Sequence, residues 1–452
     1  MRSTDTIVAA ATPPGRGGVA IVRVSGTMVP AIAQALLGEL PVPRMASFSR
    51  WRDAGTEGTQ GEIIDSGIAL YFPAPHSFTG EHVLELQGHG GLIVETLIER
   101  VVELGARRAR AGEFSERAFL NDKIDLAQAE AIADLIQAGS QAAARAAMRS
   151  LQGEFSQRVQ ATRDALTALR VYVEAAIDFP EEEIDFLASA ELRERVEYVR
   201  ALLDSVLIAA RRGALLTRGM TVVIAGAPNA GKSTLLNALV GFDAAIVTPV
   251  AGTTRDLLRE KVDIGGVPME FIDTAGLRDV TDDAIEAEGM RRAREVLQHA
   301  DHVLYVIDGV TDPSGRSFDA TRSALPADMP LTLVMNKSDL VASSTDSDPP
   351  GPHLRISAFT GEGLDALRAH LAAVAGHTEI AGGSFSARAR HVNALEKAAA
   401  QLDTACRQLA AKHGELAAFE LRDAQASLGE VIGDVTSDEL LGHIFSSFCI
   451  GK

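Results

Sequence analysis

Cysteine is almost absent: only Cys406 and Cys449 occur in 452 residues. Two thiols cannot build a disulfide framework, and their scarcity suits a reducing cytosol. Basic charge is also short, with 43 Lys and Arg against 61 Asp and Glu, a net charge of −18. That balance argues against tight nucleic-acid binding by this chain alone, because such binding rests on neutralising phosphates. An RNA partner would need a local basic patch, such as Arg107-Arg108-Ala109-Arg110, or a second protein to hold it. Long apolar runs are missing too, and Met1–Asp5 is polar, so neither a membrane-spanning helix nor a secretory signal is expected. The length allows two to four domains with sizeable cores, in a protein placed in the cytoplasm.

What is present is a set of four short segments in one order, each after a strand, with a fifth, 252–256, lying between them. Thr221–Ala225 reads as a buried strand and opens into Gly226-Ala227-Pro228-Asn229-Ala230-Gly231-Lys232-Ser233, followed by a helix from Thr234. Glycine-rich backbone at a helix N-terminus wraps phosphates with its N–H groups. Lys232 is placed to reach β/γ-phosphate oxygens, and the Ser233 hydroxyl to ligate magnesium. Gly252-Thr253-Thr254-Arg255-Asp256 supplies Thr254 as a second metal hydroxyl. Asp273-Thr274-Ala275-Gly276, at the end of another strand, offers a carboxylate to the metal through water and a Gly276 N–H to the γ-phosphate. Asn336-Lys337-Ser338-Asp339 follows the apolar run Leu331–Met335, and its aspartate can accept from the ring N–H and exocyclic amine of guanine. Adenine lacks that donor pair and would leave the carboxylate unpaired. Ile356-Ser357-Ala358 ends a further strand whose backbone can meet the guanine carbonyl. Each segment alone recurs by chance; four in this order predict a GTPase domain at 216–378.

This GTPase lacks one part of the usual machinery. Leu277 stands where small signalling GTPases place a water-orienting glutamine, so water alignment and positive charge must come from elsewhere. The Asn229 amide can coordinate a monovalent cation beside the phosphates, with carbonyls of Thr248–Thr253 completing the shell; it can equally be a residue that tolerates a turn conformation. Glu286 is a candidate to orient water through a relay, or simply a solvated acid among Asp282-Asp283-Ala284-Ile285-Glu286.

Elsewhere, residues 1–118 read as α/β, with strands at Thr6–Ala10, Val19–Val24 and Val83–Gln87. Met148, Leu151, Phe155, Val159, Leu166, Leu169 and Val173 recur at helical spacing, as do Val392, Leu395, Ala399, Leu402, Cys406 and Leu409. The economical arrangement is a helical domain, 119–215 and 379–452, interrupted by an inserted GTPase whose ends lie close together. The expected fold is thus multidomain α/β plus all-α, the inserted P-loop domain having a mostly parallel sheet with helices on both faces. Cys406 is expected as a small core hydrophobe. Cys449, in the tail Phe445–Lys452, is either a reactive thiol or filler in a pocket.

Taken together, Ala11–Gly18, Ser77–Glu81, Gly112–Phe119, Asp178–Glu183, Ile246–Thr248 with Gly252–Asp256, and the ending Cys449-Ile450-Gly451-Lys452 resemble the MnmE (TrmE) family of tRNA-modification GTPases over essentially the full chain. The resemblance implies an N-terminal tetrahydrofolate-binding and dimerisation domain, and a flavoprotein partner, MnmG (GidA), in a heterotetramer. It implies modification of the tRNA wobble uridine at ring position five with a one-carbon unit from 5-formyl- or 5,10-methylene-tetrahydrofolate. By the same resemblance Arg23, Glu85, Lys123 and Lys452 are folate-contacting positions. Asn229, Thr248, Val250 and Thr253 correspond to a potassium shell, Ser233 and Thr254 to magnesium ligands, and Glu286 to the water-orienting glutamate, with one extra residue, Ile285, beside it. GTP hydrolysis would drive dimerisation of the GTPase domains, which meet across potassium, and a conformational change. With tRNA held largely by the partner, the chain need not be basic. A ribosome-assembly GTPase and a nucleotide-gated scaffold stay as competing readings; the first would be expected to carry a basic RNA-binding appendage.

Overall fold

The computed structural model describes residues 5–55, 61–178, 189–241, 259–273, 300–322, 329–341, 352–375, 385–434 and 438–451. They fall into two compact units, one of residues 1–133, 151–201 and 397–452, the other of 134–150 and 202–396.

The first unit is built on a six-stranded sheet. Its strands are β1 Ile7–Ala10, β2 Ala20–Ser25, β3 Ser47–Arg52, β4 Ile63–Phe72, β5 Val83–Gly88 and β6 Arg107–Arg108, ordered β3-β4-β5-β2-β1-β6. Every pairing is antiparallel except β1 with β6. Alternation along the strands sends Val22, Val24, Leu84 and Leu86 inward, onto helices Val29–Leu37 and Leu92–Glu103 through Ile32, Leu36, Leu97 and Val101. The opposite parity of β2 and β5 carries Arg23 and Glu85, which are therefore free to face a ligand.

In the same unit, helix Glu154–Asp178 packs along helix Gly414–Ile432. Phe155, Val159, Leu166, Leu169 and Val173 are buried on it, as their spacing predicts. Met148 is not: it lies on the separate helix Gln141–Leu151 and is 41% exposed. On helix Ala389–Ala410 the buried stripe runs through His391, Ala394, Leu395, Ala398, Leu402, Ala405 and Leu409. Ala399 and Cys406 lie at its edge, half-buried. Cys406 is thus no core hydrophobe; its Sγ lies 3.8 Å from Arg200 Nη2.

The second unit holds β7 Met220–Gly226, β8 Arg259–Ile264, β9 Val267–Asp273, β10 His302–Asp308, β11 Leu331–Asn336 and β12 His353–Arg355, ordered β12-β11-β10-β7-β9-β8. All neighbours are parallel except β8 with β9. The central strands are continuous apolar runs because both faces are covered. Leu235, Leu236, Leu239, Leu364, Leu367 and Leu371, from helices Lys232–Gly241 and Leu364–Val374, cover one face. Phe318, from helix Arg316–Arg322, packs on the other. Helix Ala190–Arg218 runs close to the segment at Phe385: a Cβ on Gly213 would stand 2.0 Å from the Phe385 carbonyl oxygen, a closeness only glycine permits. Among the described residues no helix is long and apolar enough to cross a membrane.

Candidate functional site

In an open parallel sheet, ligands bind beyond the carboxyl ends of the strands. Here those ends bring together residues of all four strand-end segments read from the sequence, 226–233, Asp273, 336–339 and 356–358. β7 ends at Gly226, and the loop to Lys232 turns through Asn229 at φ 61°, Gly226 at 146° and Gly231 at 92°. Asn229 takes a left-handed conformation that asparagine tolerates, and its side chain is exposed. Thr234, in the first turn of the following helix, is exposed as well.

Lys232 is buried, and its ammonium donates to the carbonyls of Gly226 at 3.2 Å and Ala227 at 2.9 Å, both on the loop it is meant to serve. Ser233 Oγ donates to Asp273 Oδ2 at 2.8 Å, so the hydroxyl and the carboxylate of two distant segments share one point. Asp273 is 2% exposed.

The guanine segments are stitched to the phosphate loop by one side chain. Asn336, 3% exposed, donates from Nδ2 to the Ala230 carbonyl and accepts at Oδ1 from the Ala358 N–H, each at 2.9 Å. The amide of Ala358, on the strand end whose backbone is expected to meet the guanine carbonyl, is therefore engaged by Asn336. Ser338 N–H donates to the Ile356 carbonyl at 3.0 Å, and the Gly361 N–H closes a tight turn onto Ser357 at 2.9 Å. Asp339 is exposed and available. Lys337, at φ 64°, reaches Asp308 with its ammonium at 2.7 Å. Burial alone would raise the Asp308 pKa, but Lys337 and the amides of Val310 and Thr311 hold it below the usual carboxylate range. Asp308 was not foreseen, although it closes the apolar run 302–307 just as Asp273 closes its own.

A second constellation lies in the first unit. Arg23 and Glu85 face each other across β2 and β5, with Arg23 Nε on Glu85 Oε1 at 2.9 Å. The guanidinium lies 5.9 Å from the Phe78 ring centre and 5.7 Å from that of Phe114, and its Nη1 is 3.5 Å from the Gly451 carbonyl oxygen. Phe78 and Phe114 carried no assigned role in the sequence, though each sits inside a distinctive motif. The tail is held here: Ile450 bridges Ala111, and Gly112 N–H donates to the Cys449 carbonyl at 3.4 Å. Phe445 and Phe448 are buried, whereas Cys449 is exposed, so the thiol is not pocket filler. Lys123 is exposed, its stem close to Gly80. Thr248, Val250, Thr253, Thr254, Thr274, Ala275, Gly276, Glu286 and Lys452 lie outside the described residues.

The donor sets fit the groups expected of them as far as they are described. Paired hydroxyl and carboxylate oxygens suit magnesium. An arginine paired with a carboxylate and lying 5.9 and 5.7 Å from two aromatic ring centres suits a flat heterocycle bearing carboxylates.

Comparison with known proteins agrees across the whole length. The family described as "MnmE helical domain" matches residues 126–449, and "GTP-binding protein TrmE N-terminus" matches residues 6–123. The tRNA modification GTPase MnmE of Pectobacterium carotovorum subsp. carotovorum is 55% identical over 460 residues, covering all of both chains. The protein of the same name from Yersinia pseudotuberculosis serotype O:1b is 54% identical over 466 residues, again over all of both. Among solved structures, a variant of Era from Aquifex aeolicus bound to GDP.AlF4- is 26% identical, covering 40% of this chain and 66% of its own, at a TM-score of 0.29.

Proposed function

The chain belongs to the MnmE (TrmE) family of tRNA modification GTPases, and from that membership we propose a potassium-activated GTP hydrolase that works with the flavoprotein MnmG on the wobble uridine of tRNA. The observation that carries the nucleotide half of this reading is the Asn336 clasp, which ties the guanine-reading loop to the Ala358 turn and the phosphate loop by two buried hydrogen bonds.

In this reading GTP lies along the strand ends, its base edge on Asp339 and its phosphates over the loop 226–233. Lys232 turns from the loop carbonyls to the β/γ oxygens. Ser233, with Thr254, would hold magnesium, which when bound neutralises the charge that builds up between the β- and γ-phosphates. Asp273 orients that ligand set through its bond to Ser233. Asn229, Thr248, Val250 and Thr253 would hold potassium, which supplies the charge that an arginine finger supplies elsewhere. Glu286 would position water in place of the missing glutamine. Gly276, Thr274 and Ala275 complete the γ-phosphate sensor.

The Arg23–Glu85 pair is proposed as the anchor of a tetrahydrofolate that carries the one-carbon unit, with Lys123 and Lys452 available to the folate carboxylates and the exposed Cys449 beside it. A homodimer and a heterotetramer with MnmG, a cytoplasmic setting and an aminomethyl or carboxymethylaminomethyl product belong to the same proposal. The acidic net charge supports tRNA being held largely by the partner.

The test is GTP turnover by the full-length protein in potassium chloride and in sodium chloride at equal ionic strength. Turnover should be much faster in potassium; equal rates would remove the cation from the mechanism. Titration with 5-formyl-tetrahydrofolate should show binding that Arg23→Ala abolishes.

A further inference from the structure

The turn that follows β12 carries an aromatic side chain with no structural work to do. Phe359 is 87% exposed, although phenylalanine is among the residues most often buried. The second most exposed large apolar side chain among the described residues of that unit is Leu340, at 68%, on the neighbouring loop. Both stand at the carboxyl edge of the sheet. Leu340 directly follows Asp339, and Phe359 directly follows Ala358. The turn beneath Phe359 is closed by hydrogen bonds. Its Ser357 carbonyl accepts from Gly361 N–H, its Ser357 N–H donates to the Glu362 carbonyl, and Ala358 is bonded to Asn336.

Asp339 reads the edge of a base, but an edge contact leaves both faces of the heterocycle in water. A phenyl ring fixed on the adjoining turn is the group that covers such a face. We propose that Phe359 is a base-stacking residue of the GTP site, a platform on which the purine lies while Asp339 reads its edge. The proposal rests on the guanine-site reading above and adds a residue to it. Stacking also gives the base an attachment that does not depend on the Ala358 amide, which Asn336 already engages.

Base–aromatic stacking is tolerant of which base is stacked, whereas edge recognition is not. That difference supplies the test. In the full-length protein, affinities for GDP and inosine diphosphate are measured for wild type, Phe359→Ala and Phe359→Leu, with Asp339→Asn as reference. Phe359→Ala should weaken both nucleotides by the same factor, about five-fold or more, leaving their ratio unchanged; Phe359→Leu should recover only part. Phe359→Trp should bind normally and show tryptophan emission that GDP quenches. Unchanged GDP affinity in Phe359→Ala would overturn the proposal, including the case where only self-association of the chain falls. A changed GDP-to-inosine ratio would also overturn it, because Phe359 would then be positioning Asp339. Asp339→Asn separates the two readings: if it fails to trade guanine for xanthine nucleotides, the guanine site itself is misplaced, whatever Phe359 does.

Discussion

Asn336 reaches 106 residues back along the chain to donate to the carbonyl oxygen of Ala230, inside the phosphate loop, while its other amide atom holds Ala358. A side chain that bonds at both ends of a buried amide is costly to remove, since each orphaned partner keeps its full desolvation penalty. Asn336→Ala should lower stability by roughly 2 to 4 kcal/mol and weaken GDP and GTP together. Asn336→Asp should be nearly as damaging, because a carboxylate oxygen would face the Ala230 carbonyl. Chemical denaturation with and without GDP reads both effects. Loss of nucleotide affinity with unaltered stability would mean that the clasp is not structural.

Ser233 and Asp273 share a hydrogen bond although 40 residues separate them. Ser233→Ala should cut turnover by about 100-fold or more and raise the magnesium concentration for half-maximal rate. Asp273→Asn should do the second with a smaller effect on the first, because the amide keeps a bond to Ser233 but loses its charge. A magnesium titration of turnover in the two variants checks this; identical magnesium dependence to wild type would place the metal elsewhere.

How much of this was legible beforehand follows from where the constraints lie. The phosphate loop, Asp273 and Asn336–Asp339 could be read from spacing because backbone geometry at a strand end allows few residue types. The helix Glu154–Asp178 could be read from its period. Cys406 could not: the stripe on its helix is shifted by one position, through Ala398 and Ala405, and alanine carries little signal in an alanine-rich background. The partnership of Arg23 with Phe78 and Phe114 was equally hidden, since it depends on three segments meeting across a sheet. The exposure of Cys449 was hidden because burial of Phe445 and Phe448 leaves the thiol on the outer side of the same tail.

Gly451 takes φ 94° and approaches the Ala10 carbonyl so closely that a Cβ would sit 2.0 Å from its oxygen. Gly451→Ala adds that clash to a left-handed backbone that costs an L-residue about 1–2 kcal/mol. The tail should lift from Arg23, and the Gly112 N–H, which donates to the Cys449 carbonyl, should exchange faster with solvent. Amide exchange at Gly112, with folate affinity measured alongside, tests the tail as part of that site; unchanged protection would show that it is held by Phe445 and Phe448 alone.

Glu113 is 1% exposed, and its carboxylate meets Arg107, Arg117 and the Arg110 N–H. Burial pushes its pKa up, but those donors outweigh it and bring the group down to about 2, from 4.5. A depressed carboxylate stabilises the fold above its unfolded pKa and loses that contribution as pH falls through the folded one. Stability of the first unit should therefore fall between about pH 4.5 and 2, by an amount on the order of a few kcal/mol. Glu113→Gln should be less stable at neutral pH and show a flatter acid limb. A parallel acid limb in the variant would show that Glu113 does not carry the acid sensitivity.

His302, at the amino end of β10, is 2% exposed, and its Nε2 lies 2.8 Å from Thr332 Oγ1, which in turn lies 2.7 Å from His370 Nε2. Its Nδ1 is buried with no hydrogen-bond partner. Burial first, and the His370 charge second, press its pKa down to about 4 from 6.5. The folded protein therefore resists a proton that the unfolded chain accepts, so this contribution to stability is complete above about pH 6.5 and is lost as pH falls towards 4. The window lies mostly above that of Glu113 and belongs to the other compact unit, so amide exchange can follow the two separately. His302→Gln keeps a group able to bond Thr332 and cannot titrate, so the protection of β10 and β11 amides, taken relative to intrinsic exchange at each pH, should lose the fall seen in wild type between 6.5 and 4. A wild-type slope retained in that variant would show that His302 does not carry the acid sensitivity.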